Sequence, residues 1–301
     1  MASQGEGAHL LLTGRDLVAT LARELERRHA AKSPITGLRT GLAHFDSLTS
    51  GLQPGEMTVI AGRPGGGKTA IALEMVRRMA LPKRGEAATP VLFVSLEMSA
   101  RALAERLTMA MSSLTSSTLR RADFIQSELE DFRRAAHRIQ HGGLTVFDAT
   151  NGLTKEDLGE LVGKWKSEQP RPGVVVVDYL QLLRSSKRQP SREREVAEAS
   201  MACRAAARAN TVPVIALAQL NRGLADRQDP RPRATDLRES GQIEQDADVI
   251  ALLHTPPTKP GEPKSDQLDL IIEKNRNGAQ GTVKLRFDYA HQTIHEVIED
   301  L

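Results

Sequence analysis

Gly62-Arg63-Pro64-Gly65-Gly66-Gly67-Lys68-Thr69 is the stretch whose reading decides the fold. It fits the pattern G-x-x-x-x-G-K-[ST], and its flanks are those the pattern requires. An apolar strand, residues 57–62, leads in, and residues 69–79 lead out with helical spacing. The glycines let successive N–H groups curl around a β-phosphate. The helix start adds partial positive charge. Lys68 suits the β- and γ-phosphates, and the Thr69 hydroxyl suits Mg²⁺. Arg63, Gly65, Gly66, Gly67, Lys68 and Thr69 are therefore candidate ligands for ATP and its magnesium. The competing reading is a Gly-rich turn that matches by chance.

Outward from this loop, strands alternate with helices. Residues 91–96, 144–148, 173–178, 212–218 and 247–253 read as strands. Residues 100–111, 125–140, 153–167 and 195–210 read as helices. A strand pair at 268–273 and 281–287 and a last strand at 293–298 close the chain. Val174–Val177, four valines in a row, is the pattern of a strand buried on both faces. The alternation predicts a mostly parallel twisted sheet with helices on both faces, an α/β fold. Asp178 ends its strand, where a carboxylate supports Mg²⁺ through water. Glu97 follows the 91–96 strand, where a general base can polarise water. Gln219 ends the 212–218 strand, where an amide can sense a γ-phosphate. Each also has a plainer reading: a turn or cap for Asp178, a helix cap for Glu97, a polar strand end for Gln219.

Composition narrows the function classes. At about 150 residues per domain, 301 residues allow two domains, yet one α/β domain of this length is common. There is no internal repeat and no linker at which to divide the chain. Residues 1–32 read as a leader plus a helix, and residues 33–301 as one domain. Lys+Arg 41 against Asp+Glu 38 leave a net charge of +3, so nucleic-acid binding must come from local basic loops. Aromatics at 3% exclude a surface of stacked rings. The single cysteine, Cys203, excludes an intrachain disulfide and a thiolate metal cluster. No apolar run approaches the about 18 residues of a membrane span, and the first twelve residues hold no Lys or Arg. A cytoplasmic protein is the expectation.

Taken in order, the motifs resemble the C-terminal, RecA-like motor domain of the bacterial replicative helicases (DnaB type). The resemblance covers about residues 33–298. It rests on Thr36-Gly37-Leu38 through Gly51-Leu52-Gln53-Pro54-Gly55, the Gly62–Thr69 loop, Ser95-Leu96-Glu97-Met98 and Asp178-Tyr179-Leu180-Gln181. It continues in Gln219-Leu220-Asn221-Arg222, Asp236-Leu237-Arg238-Glu239-Ser240-Gly241 and Lys274-Asn275-Arg276-Asn277-Gly278.

The resemblance implies a P-loop NTPase acting in DNA replication as a DNA-dependent ATPase and helicase of 5'-3' type. It implies a homo-oligomer, a hexameric ring with ATP bound between subunits, and a loader or other replication protein as partner. Lys68 and Thr69 would bind phosphates and metal, Asp178 would support the metal, and Glu97 would activate water. Gln219 would couple the γ-phosphate to loops holding single-stranded DNA. Arg238, Glu239 and Gly241 would contact that strand, with Arg222 adding charge. Lys274 and Arg276 would act in trans on the next subunit's ATP, since an arginine so delivered stabilises charge developing in phosphoryl transfer. Without the family pattern, Arg276 reads as a solvated hairpin charge.

Two departures stand out. The sequence begins about 30 residues before the motor domain, so the expectation is that the family's N-terminal collar is missing; the helix at 13–31 matches either a linker helix that docks on a neighbouring subunit or a helix packed on its own domain. Gly65-Gly66 also replaces a small and a bulkier residue of the family's loop. Two other functions use the same core: a filament-forming recombination or repair ATPase, and an ATP-binding regulator of a partner protein.

Overall fold

The computed structural model describes residues 13–81, 85, 87–186, 189–221, 230–237, 241–256 and 265–297. In chain order the elements are α1 (Gly14–Ala31), α2 (Ala43–Thr49), β1 (Met57–Gly62), α3 (Lys68–Ala80), β2 (Val91–Ser95), α4 (Ala100–Met109), α5 (Ser116–Arg121) and α6 (Gln126–Gln140). Then come β3 (Leu144–Asp148), α7 (Lys155–Ser167), β4 (Val174–Asp178), α8 (Arg192–Asn210), β5 (Val214–Gln219), α9 (Gly241–Asp246), β6 (Val249–His254), β7 (Gln267–Asn275), β8 (Gly281–Asp288) and β9 (Thr293–Glu296). The described strands form one sheet in the order β3-β2-β4-β5-β1-β6-β7-β8-β9. Pairings from β3 to β6 are parallel, and β7, β8 and β9 add antiparallel strands at one edge.

The valine run shows why the sheet is covered twice. All five residues of β4 are buried. Val175 and Val177 pack with Leu158, Val162 and Trp165 of α7 and Val196, Ala199 and Cys203 of α8. Val174 and Val176 pack on the other face with Ile71 and Met75 of α3 and Leu103 and Leu107 of α4. The two-residue period of a strand is thus present beneath an unbroken apolar run. Among the described residues no helix is long and apolar enough to cross a membrane.

Several elements differ from the sequence reading. α8 starts at Arg192, three residues before the expected 195, because the Ser191 side chain caps the Arg194 amide. α5 lies between the expected helices at 100–111 and 125–140 and carries a Thr115–Thr118 capping box. α2 lies in a stretch to which the sequence reading assigns neither helix nor strand. Its Ncap, Leu42, offers no side-chain cap. The Glu296 carboxylate accepts from the Ala43 and His44 amides instead, both at 2.7 Å.

α1 forms as expected, and a Thr13–Asp16 capping box starts it. Its apolar stripe, Leu17, Val18, Leu21 and Leu25, is more than half exposed at every position. The reading in which this helix packs on its own domain therefore fails for these side chains.

Asp46 on α2 is buried and accepts hydrogen bonds from Thr40 N at 2.9 Å, Thr40 Oγ1 at 2.7 Å and Gly41 N at 3.0 Å. Asp46→Ala strands those donors and should cost about 2–4 kcal/mol. A lowered urea midpoint at unchanged slope is the expected result, with a smaller loss for Asp46→Asn.

Candidate functional site

The C-terminal ends of the central strands converge on one cleft. β1 ends at Gly62, in register with Gln219 at the end of β5. Asp178 ends β4 in register with Ser95 of β2, and the Leu96 amide donates to the Asp178 carbonyl at 2.7 Å. Glu97 follows and is exposed at the same edge. Gly65, Gly67, Lys68, Thr69, Glu97 and Gln219 line a cleft of ≈ 350 Å³. That lies within the roughly 300–1,000 Å³ of small-molecule sites.

The loop's geometry follows from its glycines. Gly65 (φ +67°) and Gly67 (φ +95°) hold left-handed conformations that side chains disfavour. A Cβ at Gly66 would lie 3.0 Å from the Arg63 carbonyl, so this glycine also answers a close approach. Gly67 is the Ncap of α3, whose N-terminus opens into the cleft.

Lys68 is buried and donates to the Gly62 and Arg63 carbonyls, each at 3.1 Å. Burial lowers its pKa, and the neighbouring Asp178 and Glu97 oppose that shift. Arg63 has a buried Nη2 with no hydrogen-bond partner. Thr69 Oγ1 donates to Asp178 Oδ2 at 2.9 Å. Burial pushes the Asp178 carboxyl up to about 6, while the bond from Thr69 pulls it down and Glu97 adds to the rise.

Magnesium can be tested against these groups. Asp178 Oδ1 is a buried acceptor without a partner, beside the Thr69 hydroxyl. Hard oxygen donors of this kind suit Mg²⁺, which takes one or two protein ligands plus substrate phosphates. Among the described residues no cluster of three or more His, Cys, Asp or Glu forms a self-sufficient metal site. The residues fit a metal that arrives with a nucleotide.

Lys274 and Arg276 are not part of this cleft. Asn275 of β7 pairs with Val249, near the start of β6, and Val249 lies one residue from the level of β1's first residues. At about 3.3 Å per residue, β1 separates them from the phosphate loop by roughly 15 Å. Lys274 Nζ donates to the Glu244 and Ala247 carbonyls at 2.6 and 2.7 Å. Arg276 Nη1 pairs with Asp248 Oδ1 at 3.0 Å. Arg222, Arg238 and Glu239 lie outside the described residues. Gly241 begins α9, and a Cβ there would meet open space.

Two residues were missed. Arg106 of α4 lines the cleft and is continuous with an adjoining cleft of ≈ 630 Å³, which also shares Met98 and Gln292. Nothing in its local pattern distinguishes it from other helix arginines. Gln181 brackets the backbone of Gln219, donating to its carbonyl and accepting from its amide, both at 3.2 Å. Its place in Asp178-Tyr179-Leu180-Gln181 was the available signal.

Gly67→Ala should weaken nucleotide binding about tenfold, since a left-handed non-glycine residue costs roughly 1–2 kcal/mol. Gly55 (φ +78°) lies away from the cleft, so Gly55→Ala should leave affinity unchanged. Equilibrium binding of a fluorescent nucleotide checks both.

Comparison with known proteins adds a consistent set of likenesses. Residues 37–296 match the model of the DnaB-like helicase C terminal domain. The replicative DNA helicase DnaB of Leifsonia xyli subsp. xyli is 38% identical over 275 residues, covering 90% of this chain and 58% of that relative. The chain therefore spans less than two thirds of its length. A solved structure described as an ATPase domain superposes with a TM-score of 0.86 at 32% identity, covering 95% of this chain and 99% of the other. A DnaB-like replicative helicase, solved in a study of its interactions with primase, gives 0.82 at 32% identity, covering 95% of this chain and 67% of that one.

Proposed function

Since the chain belongs to the DnaB-like helicase C terminal domain family, we propose that it is the ATP-driven motor of a ring that moves along single-stranded DNA and separates the duplex. The observation that carries this reading is the split catalytic set. The phosphate loop, Thr69, Asp178, Glu97 and Gln219 gather at one edge of the sheet, while Lys274 and Arg276 sit at the other. One chain cannot bring both sets to one nucleotide. A neighbour can, and a ring of six repeats that arrangement without an open end.

In this mechanism the N–H groups of Gly65–Thr69 bind the phosphates. Lys68 exchanges its two carbonyl partners for phosphate oxygens. Thr69 and Asp178 would hold Mg²⁺, which neutralises charge on the phosphates when bound. Glu97 orients the attacking water and takes its proton. Arg106 supplies a second cation in cis, and the adjoining cleft has room for ribose and base. The next subunit's Arg276 and Lys274 complete the charge stabilisation, which makes hydrolysis depend on assembly. Gln219 senses the γ-phosphate and, held by Gln181, passes that state to the segment after β5. Arg222, Arg238, Glu239 and Gly241 contact the strand. Phosphate contacts of this kind give salt-sensitive binding without base preference.

The exposed stripe of α1 supports a docking role on the neighbouring subunit, so that the helix at 13–31 acts as a brace for the motor at 33–301. Covering each half-exposed apolar side chain contributes about 1 kcal/mol.

Three outcomes test this reading. Lys68→Ala should abolish ATP turnover. Arg276→Ala should keep nucleotide affinity and lose turnover by at least about a thousandfold; full activity would remove the trans role. Leu21→Glu should shift assembly to higher protein concentration in analytical ultracentrifugation, leaving the fold intact. Strand displacement on a forked substrate separates a motor from a DNA-stimulated ATPase that only coats single strands.

A further inference from the structure

Asp248 joins the trans-acting edge to the strand that carries the phosphate loop. It follows α9 by two residues and is buried. Its carboxylate is divided between two partners. Oδ2 accepts from the Met57 amide, the first residue of β1, at 3.0 Å. Oδ1 accepts from Arg276 Nη1 at 3.0 Å. Its backbone is used at both ends too: the Asp248 amide donates to the Met57 carbonyl, and the Arg276 amide donates to the Asp248 carbonyl, both at 2.9 Å. Arg276 is thus gripped through main chain and side chain by one residue.

The surroundings leave the guanidinium little freedom. Nη2 points toward the Gln245 carbonyl at 3.4 Å. The next residue, Asn277, is fixed by a 2.7 Å bond to Glu56, which directly precedes β1. The end of α9 is itself tied down. Asp246 accepts from Ser200 at 2.8 Å and Gln242 at 2.9 Å, and Arg204 donates to the Gln245 and Asp246 carbonyls at 3.0 Å. Lys274 hangs from carbonyls of the same segment. Yet the Arg276 side chain remains 44% exposed. It is held along one edge and open along the other, the pose a group needs in order to serve a second molecule without paying again for its rotamer entropy.

We propose that Asp248 is a positioning residue for hydrolysis in the neighbouring subunit, fixing the guanidinium of Arg276 so that its open edge meets the neighbour's ATP. This rests on the trans role of Arg276. The pairing is not a store that withholds the arginine, because a buried carboxylate bonded also to Met57 cannot follow Arg276 away and would gain nothing from its departure. Asp248 touches no substrate and acts through Arg276 alone.

The test is complementation between variants in mixed assemblies. Lys68→Ala subunits hold no productive ATP but carry an intact Arg276 and Asp248. Asp248→Asn subunits keep the phosphate loop but hold Arg276 loosely. Asp248→Asn alone should keep nucleotide affinity within about twofold and lose about tenfold to a hundredfold in kcat, the range for a charge-assisted hydrogen bond. Mixed with Lys68→Ala, it should recover turnover above the sum of the two separate samples. Damage to β1 through the lost Met57 contact would not be rescued, because the damaged loop would sit in the subunit that binds ATP. Arg276→Ala mixed with Lys68→Ala is the parallel arm. If that pair complements and the Asp248→Asn pair does not, the positioning role is overturned and the trans role stands. If neither complements, the trans role itself has failed. Wild-type or faster turnover in Asp248→Asn alone also overturns the proposal. Should Asp248→Asn not fold, Asp248→Glu keeps the charge and is read by the same complementation.

Discussion

β1 lies between β5 and β6 with a fixed parallel register, and the placement of everything else depends on it. Val59, Ile60 and Ala61 are wholly buried, so the strand cannot slip by one residue without turning its two faces inside out. At its C-terminal end the chain turns into the phosphate loop and α3. At its N-terminal end Met57 is locked to Asp248. The two ends of one short strand therefore carry the two halves of the proposed reaction. In the proposed ring those halves belong to different ATP molecules.

The same constraint explains how Thr69 and Asp178 meet across 109 positions of sequence. Parallel strands β1 and β5 end at one level and β4 ends two residues short of it, so the hydroxyl at the start of α3 and a strand-end carboxylate are brought to 2.9 Å. A crevice at the carboxyl ends of parallel strands is where open α/β sheets bind ligands. The buried Asp178 carboxyl, raised by desolvation and left with one unpaired oxygen, gains from a cation.

Much of this was legible in the sequence because the deciding signals were local. The Gly62–Thr69 loop, the valine run before Asp178, and Glu97 and Gln219 at the ends of apolar strands each carried their own context, and the sheet brings these residues together. What escaped was set from far away. α2 is capped by Glu296, more than 250 positions distant, and no window around Ala43 contains that carboxylate. Arg106 belongs to the cleft only because the fold brings α4 beside the phosphate loop. α9 is six residues held by α8 through Ser200 and Arg204, with no periodicity long enough to announce it. The apolar stripe of α1 was legible as a stripe. Its exposure was not, because burial depends on a surface that spacing cannot supply.

Steady-state ATP turnover per chain, measured across protein concentration with unstructured single-stranded DNA in excess, tests the division of the site between subunits most directly. Turnover per chain that rises steeply with concentration and then levels is the expected result, since a lone chain lacks Lys274 and Arg276 at its own phosphates. Turnover per chain that stays constant down to concentrations where the protein sediments as a monomer would contradict it, and would mean that one chain holds a complete site.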